Sequence, residues 1–208
     1  MKRYALSGLI VVTAAVVLFG LTSEPMAKGK VRVGEAALDF ELTDTDGRSV
    51  KLSDYRGMHV VLEWINYDCP FVRKHYESGN MQALQKKYTD KGVIWLAICS
   101  NRPGSQGNFE NAEIERRRKN HGSTVTAYLR DDDGSVGRLY GATNTPHMYI
   151  VNPAGTLVYM GAIDSIASSR QSDIEEADNY MTLSLDAVLE GKAVPVSATK
   201  AYGCTIKY

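Results

Sequence analysis

The sequence has no excess of charge of either sign. Its 24 lysines and arginines equal its 24 aspartates and glutamates, so the net charge at pH 7 is zero. Nucleic acids and anionic membrane surfaces attract fields of positive charge. The composition therefore argues against both as partners of the folded chain. The sequence also has no internal repeat or low-complexity tract, and its 208 residues suit one domain, or one domain with extensions.

Cysteine is scarce, with only Cys69, Cys99 and Cys204 in the chain. A redox pair of neighbouring cysteines would place its second thiol three residues after the first, but the residue three positions after Cys69 is Val72. This excludes a dithiol built from adjacent helix residues. An odd number of cysteines also implies at least one free thiol in an oxidising compartment.

Charge is absent from residues 4–23, which follow the basic residues Lys2 and Arg3. A short basic region followed by an apolar run is the form of a secretory signal. The run of about 20 residues is also just long enough to cross a bilayer of roughly 30 Å. Residues 1–27 are therefore predicted to be a signal peptide or, if uncleaved, a membrane anchor. Either places the rest of the chain in the periplasm or on the outer face of a membrane.

Apolar runs alternate with segments of helical periodicity along the rest of the chain. Residues 59–66 and 93–100 are nearly continuously apolar, as expected of central strands buried on both faces. Residues 71–91 and 173–192 carry apolar residues at helical spacing, and 147–161 predicts a hairpin. The predicted order is β-β-β-α-β-α-β-α-β-β-α. It implies an α/β fold with a mixed sheet covered by helices on both faces.

Cys69 lies where a buried apolar strand gives way to a polar, helix-like segment. Unpaired N–H groups and the helix dipole favour a thiolate at such a position, and Pro70 suits the first helical residue. Asp68 opposes the thiolate, whereas Arg73 and Lys74 support it. The balance of these charges stays open, and the alternative interpretation is an inert, buried cysteine.

Four segments of the sequence form a recognisable set. They are the lead-in VGEAALDFELTDTDGRSVKLSDYRG, the strand VVLEWIN ahead of Cys69, the segment GATNTPHMYIV, and the closing hairpin NPAGTLVYMGAID. Together they resemble the thioredoxin-like superfamily. Within it they are similar to the redoxin group, which includes peroxiredoxins of the alkyl hydroperoxide reductase type and exported thiol–disulfide oxidoreductases. The resemblance implies a thioredoxin-like domain over about residues 31–192, followed by a tail, 193–208, that carries Cys204. It is more specific for the fold than for the reaction.

The resemblance also implies roles for particular residues around Cys69, the implied reactive thiol. Pro146 matches the family's cis-proline, which shapes the substrate-binding edge with Thr145 and Pro70, although an ordinary trans proline is the alternative. Glu63, six residues before Cys69, matches the buried acid that relays protons in thioredoxins. A carboxyl group inside an apolar strand should have a raised pKa, unless it reaches solvent at the end of the sheet.

The sequence departs from the peroxiredoxin pattern at two positions. That pattern has a threonine or serine three residues before the reactive cysteine and a proline seven before it. Here these positions hold Asn66 and Leu62. Asn66 remains a candidate hydrogen-bond donor to the substrate, but the peroxide-binding motif is not intact. Arg130 and Arg138 are both candidates for an activating cation, and the sequence does not choose between them.

Cys204 is the candidate resolving cysteine. Cys99 ends an apolar strand and is expected to behave as a small core residue, which leaves Cys204 as the remaining thiol. It lies on a tail of about 15 residues that reaches roughly 45–50 Å when extended. Some peroxiredoxins use such a distant cysteine. A flexible tail folded over the domain would let Cys204 attack oxidised Cys69. The alternative is an unpaired or structural tail thiol.

The leading hypothesis is an exported thiol-dependent oxidoreductase with an antioxidant role, in which Cys69 attacks a peroxide or a disulfide. Cys204 would resolve the product, and an external, thioredoxin-like thiol donor would reduce the pair. Neither a cofactor nor a metal is expected for this chemistry. One alternative is a copper-binding module that uses Cys69, Cys204 and His147, although a lone histidine is more often a core or surface residue. Another is a module that binds partner proteins without catalysis.

Overall fold

The computed structural model describes Met1 and residues 30–208. The signal or anchor predicted at the N-terminus lies outside the described residues. Within residues 30–208, no helix combines the length and the apolar character needed to cross a bilayer.

Nine strands and five helices make up the described chain. The strands are β1 (Glu41–Asp44), β2 (Ser49–Lys51), β3 (Val60–Trp64), β4 (Ile94–Cys99), β5 (Ala127–Arg130), β6 (Asn144–Thr145), β7 (His147–Val151), β8 (Leu157–Gly161) and β9 (Cys204–Thr205). The helices are α1 (Pro70–Glu77), α2 (Asn80–Thr89), α3 (Asn111–Asn120), α4 (Ser135–Tyr140) and α5 (Tyr180–Leu189). Two single 3-10 turns cover Leu52–Tyr55 and Gln171–Ile174.

The central sheet is mixed, as predicted. Its seven strands follow the order β2-β1-β5-β4-β3-β7-β8. Strands β3, β4 and β5 run parallel, whereas β7 is antiparallel to β3 and β8 to β7. Every residue of β3 is buried, which explains its continuous apolar run. Strands β6 and β9 form a separate two-stranded ladder beside the sheet.

Helices cover both faces of the sheet, also as predicted. One core cluster joins the sheet to α1, α2, α3 and α5, and the other joins it to α4, the N-terminal lead-in and the C-terminal tail. Alternate residues of β3 supply the two sides, with Val61 in the first cluster and Leu62 in the second. Glu63 shares the face of Val61, so its carboxyl group points towards α1 and α2.

The helix predicted over residues 71–91 is two helices in the structure. α1 ends at Glu77 and α2 begins at Asn80, and Gly79 between them has a φ of 81°. Glycine adopts this left-handed conformation without a steric penalty. The apolar spacing that predicted one helix therefore belongs to two short helices that pack side by side on the sheet.

The last helix begins later than the predicted residue 173. The side chain of Asn179 accepts a hydrogen bond from the backbone N–H of Thr182 at 2.9 Å and so caps α5 before Tyr180. The segment ahead of the cap contains a 3-10 turn rather than an α-helix.

The C-terminal tail is docked on the domain, whereas the sequence suggested a flexible extension. Its backbone pairs with Met160 of β8, where Met160 N donates to Ser197 O at 3.1 Å and Thr199 N donates to Met160 O at 3.0 Å. Further along, β9 pairs with β6, and Ile206 is buried in the second core cluster. The tail has no periodic apolar pattern because separate contacts, rather than one apolar face, hold it.

Candidate active site

Cys69 is the N-cap residue of α1, with Pro70 at the first helical position, as predicted. A tight turn after β3 places it there. Cys69 N donates to Asn66 O at 2.9 Å, and Asn66 Oδ1 accepts from the N–H of Asp68 at 2.9 Å. The side chain of Cys69 is not open to solvent, because the residue is only 1% exposed.

The segment before β7 supplies the nearest polar contact of this thiol. The Thr145–Pro146 peptide bond is cis, as the sequence predicts. Cys69 Sγ donates to Thr145 O at 3.0 Å. The reactive-thiol candidate and the proline segment, which are far apart in the sequence, therefore meet at one backbone carbonyl group.

Cys204 lies at the same place. Strand β9 runs antiparallel to β6 with Cys204 directly opposite Thr145. All three cysteines of the chain are free thiols. Burial, followed by the hydrogen bond to Cys69 and the electrostatic effect of that residue, raises the pKa of the Cys204 thiol to about 12. Cys204 therefore keeps its proton at neutral pH and can donate it towards Cys69.

A buried ionic group fixes the tail two residues before Cys204. We call Lys74, His75, Asp164 and Tyr202 the Asp164 cluster. Lys74 Nζ donates to Asp164 Oδ2 at 2.7 Å, and the Tyr202 hydroxyl donates to Asp164 Oδ1. His75 Nε2 lies 3.4 Å from the same hydroxyl, and burial lowers the pKa of His75 to about 4. Two neighbouring residues of α1 thus hold the tail through one tyrosine.

Glu63 belongs to a second buried group, with Tyr76, Gln85 and Trp95, which we call the Glu63 cluster. Tyr76 OH donates to Glu63 Oε1 at 3.0 Å, and Trp95 Nε1 donates to Oε2 at 2.7 Å. Burial raises the pKa of Glu63 to about 7, against the effect of these hydrogen bonds. No hydrogen bond within residues 30–208 joins Glu63 to Cys69, and the two are connected through α1, which carries Tyr76.

The cations that the sequence placed near Cys69 are engaged elsewhere. Lys74 is paired with Asp164, and Arg73 Nε donates to Glu77 at 2.6 Å. Both side chains therefore neutralise carboxylates rather than act directly on the Cys69 thiol.

Neither predicted arginine candidate contacts Cys69. Arg130 bonds to Asp132 and to neighbouring groups at the end of β5, and Arg138 lies over the ring of Tyr208 at 4.6 Å. A cation that sequence reasoning missed contacts the loop that carries Cys69. Arg117 on α3 donates to Asp68 at 2.5 Å. The sequence did carry one signal for it, because the carboxylate of Asp68, next to Cys69, called for a cationic partner.

Asn66 uses its amide group to build the loop. Its Oδ1 accepts from the N–H of Asp68, and its Nδ2 lies 3.5 Å from Gln106 O. Gly107 packs so closely that a Cβ there would come within 2.4 Å of Asn66 Cγ. The side chain is thus held in a crowded turn, which leaves it little freedom to bind a substrate.

The other two candidates are core residues, as expected. Cys99 Sγ contacts Gly107 O at 3.4 Å, and burial raises the pKa of its thiol. His147 is buried beside the hydroxyl of Tyr149, and burial lowers its pKa to about 4. Within the described part of the chain, no three His, Cys, Asp or Glu side chains are placed to hold a metal ion. Cys69, Cys204 and His147 are not grouped in this way within residues 30–208.

Known proteins resemble the chain both in sequence and in fold. The thiol-disulfide oxidoreductase ResA of Oceanobacillus iheyensis is 28% identical over 166 residues, which are 76% of this chain and 80% of that protein. ResA of Halalkalibacterium halodurans is 27% identical over 127 residues, which are 61% of this chain and 66% of that protein. Probable glutathione peroxidase 8-B of Xenopus laevis is 26% identical over 147 residues, which are 65% of this chain and 69% of that protein.

A solved structure extends the likeness to most of the chain. The crystal structure of an uncharacterized conserved protein from Geobacillus kaustophilus superposes with a TM-score of 0.72 and 28% identity, and it covers 85% of this chain and 92% of that chain. The sequence profile of the AhpC/TSA family matches residues 33–160, which include β3, Cys69 and the cis-proline segment. The chain therefore belongs to the AhpC/TSA family, as its redoxin-like segments predict, and stands among thiol-dependent oxidoreductases.

Proposed function

We propose that this chain is an exported thiol–disulfide oxidoreductase whose redox pair is Cys69 and Cys204. One observation carries the proposal. The carbonyl group of Thr145 accepts a hydrogen bond from Cys69, and the same residue lies opposite Cys204 in the β6–β9 ladder. The docked tail thus supplies the partner thiol that the helix lacks at Val72.

The reduced pair would reduce a disulfide in two exchange steps. The Cys69 thiolate attacks one substrate sulfur, the substrate S–S bond breaks, and a mixed disulfide forms while one substrate thiolate leaves. Cys204 passes its proton to that leaving thiolate and then attacks the sulfur of Cys69. The second substrate thiolate leaves, and the Cys69–Cys204 disulfide remains. An external dithiol, such as a thioredoxin-like protein, returns the two electrons by the same steps in reverse.

The two thiols have different parts because their surroundings differ. The pKa of Cys204 is raised to about 12 by burial and by the neighbouring Cys69. Cys204 therefore stays protonated while Cys69 is reduced, and the part of this pKa shift that comes from Cys69 falls away once Cys69 has reacted. Cys69 at the N-terminus of α1 is placed to attack first, since the helix dipole favours negative charge there.

Glu63 is the proposed titrating group beneath the site. A carboxyl group with a pKa of about 7 changes its protonation close to neutral pH. The Glu63 cluster reaches α1 through Tyr76, seven residues after Cys69. Glu63 would act as a positioning and electrostatic residue, since its described hydrogen bonds do not reach either thiol. Thr145, Pro146 and Pro70 would form the wall of the substrate site.

Peroxide is a second candidate substrate, and the burial of Cys69 favours it. A small oxidant needs less space than a polypeptide to reach a thiol that is 1% exposed. The Cys69 thiolate would attack one peroxide oxygen, and the O–O bond would break. The alkoxide or hydroxide that leaves would take a proton from the solvent and become an alcohol or water. The Cys204 thiol would then attack the sulfenic acid and release water. Arg130 and Arg138 do not contact Cys69, which removes the expected cation and weakens this candidate.

A turnover assay separates the two reactions. With dithiothreitol as electron donor, the purified protein should reduce a small disulfide such as hydroxyethyl disulfide faster than it consumes hydrogen peroxide. Cys69→Ser should abolish this turnover, Cys204→Ser should lower it strongly, and Cys99→Ala should leave it unchanged as the control. Turnover that survives Cys69→Ser would contradict the proposal. Full turnover in Cys204→Ser would assign the reaction to Cys69 alone.

A further inference from the structure

The backbone edge beside Cys69 is already occupied by the chain itself. Strand β6 is short, and within residues 30–208 the only strand that pairs with it is β9. Ile206 N donates to Thr143 O at 3.1 Å, and Asn144 Nδ2 donates to Gly203 O at 2.9 Å. The polar groups of this edge that could receive an extended peptide are therefore satisfied by the tail.

The contact between tail and edge is unusually close at Gly203. A Cβ at this position would lie 2.0 Å from Thr145 O and 3.3 Å from Pro146 Cδ. Gly203 also has a φ of 137°, a backbone conformation that residues other than glycine rarely adopt. The tail thus touches the Thr145 carbonyl group, which accepts the hydrogen bond from the Cys69 thiol. No second backbone fits between the tail and this carbonyl group.

Tyr202 closes the site from the side of the helix. Its ring packs edge to face against Phe71 with 5.8 Å between centroids, and its hydroxyl donates to Asp164. Lys74 Nζ lies 5.5 Å from the centre of the same ring. Tyr202 therefore lies against Phe71, two residues after Cys69, and Gly203 lies against Thr145, whose carbonyl oxygen accepts the hydrogen bond of the buried Cys69.

We infer that the docked tail occupies the edge along which an extended polypeptide would reach Cys69, and that Tyr202 and Gly203 determine specificity by keeping it there. Extended peptides commonly bind by adding a strand to an exposed sheet edge. While β9 holds that place, Cys69 accepts small disulfides or peroxides and excludes polypeptides. Polypeptide substrates require the tail to leave. The inference rests on the proposed function only in taking Cys69 as the reacting sulfur.

The test compares two reagents that carry the same reacting group. One is cysteine activated as its 2-thiopyridyl disulfide, and the other is an unstructured peptide whose single cysteine is activated in the same way. The thiolate of Cys69 attacks the cysteine sulfur and expels the pyridine thiolate, so no further oxidant or reductant is needed. All proteins carry Cys204→Ser, so that Cys69 is the reacting thiol. Released pyridinethione gives the rate, and mass spectrometry locates the adduct.

With the tail intact, the small reagent should react at least about tenfold faster than the peptide. Tyr202→Ala and Gly203→Ala should each raise the peptide rate about tenfold or more, because each removes or blocks a contact that keeps the tail docked. The rate with the small reagent should change far less. Lys200→Ala, an exposed residue of the same tail, is the control and should change neither rate.

Equal rates for the two reagents in the parent protein would overturn the inference, as would tail variants that raise both rates alike. A variant that unfolds would also be labelled at the buried Cys99, and the other tail variant would then decide. If the small reagent fails to label Cys69 in any variant, the proposed function fails as well. That result differs from a Cys69 that reacts with both reagents equally, which would overturn only the role of the tail.

Discussion

Two buried polar groups lie against the same helix and differ in how their charge is balanced. In the Glu63 cluster, a carboxyl group accepts hydrogen bonds from neutral donors, among them Tyr76 and Trp95. In the Asp164 cluster, a carboxylate contacts the ammonium group of Lys74 at 2.7 Å. The described hydrogen bonds of Glu63 include no cation, whereas Asp164 is paired with Lys74.

This difference separates a group that titrates from a group that holds structure. Burial without a counter-charge raises the pKa of Glu63 to about 7, so its charge changes near neutral pH. The ion pair of Lys74 and Asp164 instead gives Tyr202 a fixed anchor, and Tyr202 positions the segment that carries Cys204. We infer that the Glu63 cluster serves the chemistry of Cys69 and that the Asp164 cluster serves the placement of its partner.

The largest expected effect comes from removing the cation of the Asp164 cluster. Lys74→Met leaves a buried carboxylate unpaired and should lower the free energy of unfolding by about 3–5 kcal/mol. Arg73→Met is the matched control, because Arg73 is the next residue and its ion pair with Glu77 is exposed. It should cost no more than about 1 kcal/mol. Urea unfolding measures both values, and similar losses would contradict the distinction between the two ion pairs.

Glu63→Gln should change how stability depends on pH. The folded-state pKa of Glu63 lies above its unfolded value of 4.5, at about 7, so the folded state binds more protons between these values. The contribution of Glu63 to stability is therefore complete below pH 4.5 and is lost as the pH rises through 7. The free energy of unfolding of the parent protein should fall by about 3 kcal/mol over this pH range, because of Glu63 alone. Glu63→Gln should not show this decrease.

Urea unfolding at several pH values tests this expectation. The free energy of unfolding of Glu63→Gln, relative to the parent protein, should increase between pH 4.5 and pH 7. His75 and His147 are present in both proteins, so their own titration cancels in the difference. Glu176→Gln, at an exposed position, is the control and should give a nearly constant difference. A flat difference for Glu63→Gln would show that its carboxyl group titrates normally.

A smaller effect is expected for Tyr202→Phe, which keeps the ring on Phe71 and removes the hydrogen bond to Asp164. A hydrogen bond to a charged group contributes about 1.5–3 kcal/mol. Since this contact positions Cys204, the Cys69–Cys204 disulfide should form less completely in glutathione buffers, with an equilibrium constant lowered about tenfold. Tyr55→Phe, on the opposite face of the sheet, is the control. An unchanged equilibrium constant in Tyr202→Phe would separate the anchor from the thiol pair.

The features that the sequence predicts are those that depend on local pattern. Cys69 at the start of α1, the buried Glu63 and the core position of Cys99 follow from an apolar strand or a helix start. The cis-proline segment follows from the family resemblance. The break at Gly79 was missed because the apolar spacing continues across it. A glycine next to a serine was the only local signal for that break.

The contacts that the sequence does not predict are long-range and involve single residues. Lys74 and Asp164 are separated by 90 positions, and Lys74 and Tyr202 by 128. Neither pairing leaves a periodic trace in the sequence. The tail docks in the same way, through a two-residue strand and one buried isoleucine, Ile206. The sequence suggested that the tail lies beside Cys69, because Cys204 is the only cysteine left once Cys99 is assigned to the core. The contacts that hold the tail there are seen only in the structure.

Disulfide mapping after mild oxidation tests the central claim, the pairing of Cys69 with Cys204, most directly. The protein is treated with diamide, alkylated, digested and analysed by mass spectrometry, with Cys99 as the internal reference for a core thiol. A disulfide needs Cα atoms within roughly 7 Å, which the β6–β9 ladder makes attainable. We predict one linked peptide pair, Cys69 with Cys204, and a reduced Cys99. Recovery of Cys204 as a free, alkylated thiol while Cys69 carries an external adduct, or is itself alkylated, would contradict the account.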